Sequence, residues 1–236
     1  MWYSTPMNDY PKTILVYVGL DRIGDSLLKL PFVRGLRDAF PGAHITWLAG
    51  KDTSVYKNIM APFVKNSLDE VIENAGIGLS PKELFRRPLD GKHFDLIIDT
   101  QRVALATFVL YRIRHDEFIS PFGRFCLSTR KPRADYKFPK SMQRQLLDLL
   151  EVSTGRTIET PERLTLELEP TLRKAAKQLL PEGPKYVGFL PGAGGKPKCW
   201  PLDRFIQSAN DQVMAGRIPV FLLGPQEVSW RHRITA

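Results

Sequence analysis

Residues 13–18, TILVYV, form an unbroken apolar and β-branched run, and a glycine-bounded turn and an amphipathic helix follow it directly. A run without polar alternation suits a strand covered on both faces, and such strands belong to parallel sheets. The unit then recurs. HITWLA (44–49), a short strand near 70–72 and FDLIID (94–99) alternate with helical stretches near 55–63 and 103–112. That alternation predicts an α/β chain with a parallel sheet and right-handed crossovers.

The first helix runs to about Phe40, with Leu27, Leu28, Phe32, Val33, Leu36 and Phe40 at helical spacing. Pro31 lies inside this stretch. It either kinks the helix or begins it, because proline gives up a helix hydrogen bond and clashes one turn back. Residues 120–139 are rich in Pro, Gly and basic residues and read as a loop; 140–152 read as a helix and 153–170 as a linker. The pattern then restarts: a helix at 171–180, the strand KYVGFL (185–190), a loop (191–201), a helix at 202–215 and the strand IPVFLL (218–223). The predicted division is a Rossmann-like domain over 1–165 and a partial one over 166–236. Two strands and one helix bury too little apolar surface for a complete domain. The last nine residues, VSWRHRITA (228–236), carry no strand or helix pattern.

Composition narrows the function classes. Of 236 residues, 43% are hydrophobic and 25% charged, the balance of an ordinary globular protein and not of a disordered or fibrous chain. MWYSTPMNDYPK lacks the pattern of a secretory signal, and no stretch approaches a membrane span, so a cytoplasmic location is expected. Cys126 and Cys199 lie far apart and the four histidines are scattered, which predicts neither a disulfide framework nor a metal site. The formal charge is +9, and between Arg124 and Arg144 seven basic residues meet one acid, Asp135. This stretch is either a solvated loop or a patch for nucleic acid, anionic lipid headgroups or a phosphorylated substrate. Only Phe125, Tyr136 and Phe138 interleave with it and no nucleic-acid motif is present, so nucleic acid is not an expected partner.

Two loops concentrate the chemistry. VGLDRIGDSLLKLP (18–31) sets Asp21, Arg22 and Asp25 at the carboxyl end of a central strand, where open α/β sheets place ligands. Asp25 near the helix start is either a cap or a functional carboxylate. GLDRIG lacks the middle glycine of a dinucleotide fingerprint, so a nicotinamide cofactor is not expected. LPGAGGKPKCWPLDRF (190–205) combines Gly192, Gly194 and Gly195 with Lys196 and Lys198 ahead of a helix. Glycines admit a ligand close to the backbone, and the helix start favours an anion. Pro197 rules out both a Walker A loop and a dinucleotide fingerprint.

Taken together these segments resemble glycosyltransferase family 9, the bacterial heptosyltransferases of lipopolysaccharide core assembly. The resemblance rests on ILVYVGLDRIGDSLLKLPFVRGLRDAFPGAHITWLAG (14–50), FDLIIDTQ (94–101), and YVGFLPGAGGKPKCWPLDRF (186–205) with IPVFLLGPQE (218–227). It implies a GT-B fold, two Rossmann-like domains facing a cleft, and an inverting, metal-free transfer without a cofactor. By motif match Asp25 is the general base, while Gly192, Ala193, Gly194 and Lys198 hold the diphosphate of a nucleotide-sugar donor such as ADP-heptose. Arg22, Gln101 and Arg102 fall on the acceptor side. The acceptor implied is a phosphorylated glycolipid at the inner face of the inner membrane, with which the protein would make peripheral contact. Cys199 stands where the family usually has Arg or His, and Arg102 where glycine is common. The family's Asp-x-Gly-x-x-His segment is absent from these 236 residues. The expectation is therefore a C-terminally truncated member, whose alternative reading is a weak or inactive relative that keeps the acceptor-side domain.

Overall fold

The computed structural model describes residues 10–193 and 196–235, apart from the side chain of Lys196. The chain separates into two compact units, the first ending at Glu167 and the second beginning at Leu168.

In chain order the first unit contains β1 (Thr13–Val18), α1 (Ile23–Ala39), β2 (His44–Ala49), α2 (Ala61–Val64), β3 (Glu70–Ile72), β4 (His93–Asp99), α3 (Ala104–Tyr111), β5 (Arg114–Ile119) and α4 (Met142–Thr154). The five strands form one sheet in the order β3-β2-β1-β4-β5, every pair parallel. β1 occupies the centre, and its unbroken apolar run follows from that place. Ile14, Val16 and Val18 enter one core with Leu36 of α1 and Leu150 of α4, while Leu15 and Tyr17 enter the other with Leu110 of α3. Burying each such side chain contributes about 1.5–3 kcal/mol.

α1 is one continuous helix from Ile23 with Pro31 inside it, which excludes a start at Pro31. Its buried stripe is Ser26, Lys29, Leu30, Val33 and Leu36, with Phe32 alongside; Leu28, counted by spacing toward the core, is 47% exposed. The phase turned because a polar pair, Asp21 with Lys29, sits under the helix and takes Lys29 inward. α1 packs closely on α4: a Cβ on Gly35 would lie 2.9 Å from Leu150 Cδ2.

The helix expected near 55–63 is two shorter pieces, a 3-10 turn at Val55–Lys57 and α2. Ser54 caps the first piece by accepting from Tyr56 N, and Asn58 leaves helical geometry. Pro62 then lacks the donor that a continuous helix would need. β5 was hidden in the sequence because RHDEFI is an edge strand whose first four side chains are charged or polar. Charge on an edge discourages pairing with another sheet.

The second unit contains α5 (Pro170–Leu179), β6 (Tyr186–Phe189), α6 (Leu202–Met214), β7 (Ile218–Phe221) and α7 (Arg231–Ile234). β6 and β7 pair in parallel, Tyr186 opposite Ile218 and Phe189 opposite Phe221. Phe189 stacks on Phe221 with centroids 5.1 Å apart, and Trp200 meets Phe205 edge-on at 5.1 Å. Residues 228–235, read as patternless, form a 3-10 turn and α7, tied by an Arg233–Asp203 ion pair of 2.5 Å. Two consecutive short turns carry no periodicity that a sequence pattern could register.

Candidate active site

The turn after β1 divides its two acids. Asp21 is 4% exposed, and its carboxylate accepts from Lys29 Nζ (2.8 Å), Ser26 Oγ (2.7 Å), Ser54 Oγ (2.5 Å) and Trp47 Nε1 (2.8 Å). Burial pushes this carboxyl up, but the Lys29 charge and the bonds from Lys29, Ser54 and Ser26 outweigh it and hold the group below the usual range. Asp21 therefore joins β1, β2, α1 and the segment at Ser54 into one rigid turn.

Asp25 is different. It was a candidate cap, but the capping position is Arg22, in extended geometry and without a side-chain cap bond. Asp25 lies in the first turn of α1, exposed, and no side chain among the described residues bonds its carboxylate. A solvent-facing carboxylate on a locked turn can take a proton from a hydroxyl that docks there.

The strand beside β1 supplies the next group. Asp99, at the carboxyl end of β4, is fully buried and accepts from Thr107 Oγ1 (2.7 Å), Ser120 Oγ (2.8 Å) and Gln101 N (2.8 Å). Burial raises it to about 6 against the lowering effect of those bonds. Its hold on Gln101 N shapes the exit of β4 so that Gln101 Oε1 lies 3.3 Å from where a Gly19 Cβ would stand. Gln101 is thus brought to the turn that carries Asp25. Arg102 sits 5.0 Å over the Phe138 ring and ties the basic loop to the same edge. Arg22 is exposed one residue before α1.

The Asp99 shift has a measurable consequence. An unfolded Asp titrates near 3.9, so between about pH 4 and 6 the folded state binds the extra proton and stability falls as pH rises. The loss amounts to about 3 kcal/mol by pH 7. Asp99→Asn keeps an acceptor for Gln101 N and removes this titration. Urea unfolding at pH 4 and pH 7 is expected to show the variant gaining on the parent as pH rises; a constant offset would contradict the assignment.

The basic stretch is not a uniform patch. Arg130 bonds Glu117 and the Ser153 carbonyl, and Arg144 bonds Asp148, Glu151 and the Ile158 carbonyl. Arg124, Lys131, Lys137 and Lys140 remain exposed. At the opposite, amino-terminal edge of the sheet, folding brings His93 beside Asp95 and Asp116. There His93 Nε2 is 3.0 Å from Asp116 Oδ1, and Asp95 Oδ2 is taken by the amides of Lys12 and Thr13. A cavity of about 280 Å³ adjoins them, lined also by Tyr10 and Arg130.

In the second unit Gly192 and Ala193 leave the carboxyl end of β6, and Lys198 is exposed in the 3-10 turn before α6. Gly194 lies outside the described residues. Sequence reasoning missed Glu227, which is 8% exposed below this loop. A Cβ on Gly192 would lie 2.7 Å from its carboxyl carbon, and one on Gly224 would lie 2.7 Å from its Oε2. The signal was the Gly-Pro-Gln-Glu run after β7.

The family model for glycosyltransferase family 9 (heptosyltransferase) matches residues 83–235. This chain belongs to that family. No curated protein matches it. Among solved structures it is similar to a family 9 glycosyltransferase from Veillonella parvula DSM 2008, at 22% identity and TM-score 0.65, over 94% of this chain and 66% of that one. It is similar to E. coli ADP-heptose lps heptosyltransferase II at 18% identity and TM-score 0.56, over 94% of this chain and 67% of that one. E. coli heptosyltransferase WaaC, solved with ADP-2-deoxy-2-fluoro heptose, aligns at 18% identity and TM-score 0.58, over 94% of this chain and 73% of that one. The chain thus spans about two thirds of the length of these relatives. At these identities the likeness is one of fold: α/β and GT-B-like, with two strands among the described residues of the second Rossmann-like unit.

Proposed function

We propose that this family 9 chain is an inverting, metal-independent glycosyltransferase that moves a heptose or related sugar from a nucleotide-sugar such as ADP-heptose to a phosphorylated lipopolysaccharide-core acceptor. The observation that carries the reading is Asp25: an exposed carboxylate without a side-chain partner, on a turn that Asp21 holds rigid from beneath. In the reaction its oxygen takes the proton of an acceptor hydroxyl as that oxygen attacks the anomeric carbon of the donor. The bond to the diphosphate breaks on the opposite face, and the configuration at that carbon inverts. Arg22, Gln101 and Arg102 line the acceptor side. The Arg22 and Arg102 guanidinium groups suit its phosphates.

On the donor side the motif match assigns Gly192, Ala193 and Gly194 to the diphosphate, and Lys198 meets the charge that grows on the leaving group. Glu227 offers a carboxylate to donor hydroxyls beside Gly192. The solved structures of WaaC with ADP and with an ADP-heptose analogue support this choice of donor.

Calorimetric titration of the full chain with ADP tests the donor side directly. Micromolar binding is expected, weakened roughly tenfold or more in Lys198→Gln, since a charge-assisted phosphate contact contributes about 1.5–3 kcal/mol. Equal binding by the variant would remove Lys198 from the site. Cys199, where the family usually has Arg or His, favours one other reading, a catalytically weak or inactive relative that keeps the acceptor-side domain. Micromolar ADP binding together with transfer to a core acceptor would contradict it.

A further inference from the structure

The crossover between β3 and β4 carries a surface that neither sheet edge uses. A 3-10 turn at Pro81–Phe85 projects Phe85 outward at 88% exposure, while its neighbour Leu84 packs into the core. Leu79, on the approach to the turn, is 61% exposed.

The turn is held firmly in this pose. Glu83, 8% exposed, accepts from the amides of Gly78, Leu79 and Ser80 and closes a capping box with Ser80. Arg112, at the end of α3, donates to the Leu84 carbonyl. Five backbone and side-chain bonds therefore fix a segment whose most exposed residue is a phenylalanine. Around it Lys82, Arg86 and Arg87 are exposed and enter no ion pair among the described residues; the nearby acid Glu83 is spent on the backbone.

We propose that the Pro81–Phe85 turn is a membrane-docking tip, with Phe85 and Leu79 entering the headgroup–acyl boundary and Lys82, Arg86 and Arg87 meeting anionic lipid phosphates. A protruding aromatic ringed by unpaired cations matches the two components of interfacial binding, apolar burial and attraction to a negative leaflet. The net charge of +9 gives the approach the same sign. A protein partner would call for a flat apolar patch with a polar rim. The inference rests on the reading above in one respect: it names the surface by which an enzyme with a glycolipid acceptor reaches its substrate.

Co-sedimentation of the full chain with vesicles tests it. Binding is expected to phosphatidylcholine vesicles containing about one third phosphatidylglycerol, and to fall away in about 0.5 M salt or on phosphatidylcholine alone. Phe85→Ser weakens it about tenfold. Arg86→Gln with Arg87→Gln weakens it by at least about tenfold. Both changes lie on exposed side chains, and unchanged circular dichroism verifies the fold. In Phe85→Trp, fluorescence quenching by brominated lipid beyond that of the parent reports insertion at this position. The proposal is overturned if phosphatidylglycerol vesicles are not bound, if the Phe85 and Arg86/Arg87 variants bind like the parent, or if Lys131→Gln with Lys137→Gln carries the loss instead. Vesicle binding needs neither donor nor acceptor. A failed transfer to a deacylated, water-soluble acceptor would sink the catalytic reading and leave the vesicle result standing.

Discussion

Replacing Asp25 by Asn is expected to lower the rate of sugar transfer roughly a hundred- to ten-thousandfold, the usual contribution of a general base. Asn preserves the size of the side chain and can still accept a hydrogen bond, but it cannot take a proton at neutral pH. The residue is exposed and supports no contact on which the fold depends, so stability should change by less than about 0.5 kcal/mol. ADP affinity should also stay near that of the parent, because the change is on the acceptor side. Rate with a saturating donor, the unfolding midpoint and ADP titration together separate chemistry from folding and binding. Turnover by Asp25→Asn close to that of the parent would remove Asp25 from the role of base.

The second large effect belongs to its neighbour. Asp21→Ala is expected to cost about 3–5 kcal/mol of stability, the range for a buried pair that loses one partner. The variant leaves Lys29 at 4% exposure with only the Leu20 carbonyl, and strips the acceptor from Ser26 Oγ, Ser54 Oγ and Trp47 Nε1. Such a loss is a large part of the about 5–15 kcal/mol that stabilises a typical domain. Pairing Asp21→Leu with Lys29→Met should recover much of it, since the orphaned charge is then gone. Urea denaturation of the single and double variants decides the matter; a cost below about 1 kcal/mol for Asp21→Ala would mean that the network contributes little. The sign with pH is opposite to that at Asp99. The Asp21 carboxyl is held low in the folded state, so its stabilisation is present above the usual carboxylate range and fades as pH falls through the lowered value.

These contrasting outcomes come from acids four residues apart, and nothing in GLDRIGD distinguishes their burial. Ser26 and Lys29 reach Asp21 from the helix that follows it, but Ser54 and Trp47, 33 and 26 positions away, reach it only through the fold. The cap reading of Asp25 failed for a related reason. Helix starts are set by backbone geometry at Arg22, which a sequence pattern locates only to within a residue or two.

Much of the fold was legible from local composition. A central strand buried on both faces must be apolar throughout, so TILVYV, HITWLA and FDLIID announced β1, β2 and β4. The glycine loop and Lys198 were visible for the same local reason, as was the match of Asp25 and Gln101 to one family's motifs. Tertiary structure decided what depends on distant partners. It assigned RHDEFI to a charged edge strand, turned Leu28 outward and Lys29 inward, and spent Arg130 and Arg144 on carboxylates and carbonyls rather than on a basic patch. It also set Glu227 against Gly192 and Gly224, and Phe85 into solvent beside a core-facing Leu84. Periodicity records which residues prefer to be dry. Only the packed chain determines which of the polar ones find a partner and which are left free to act.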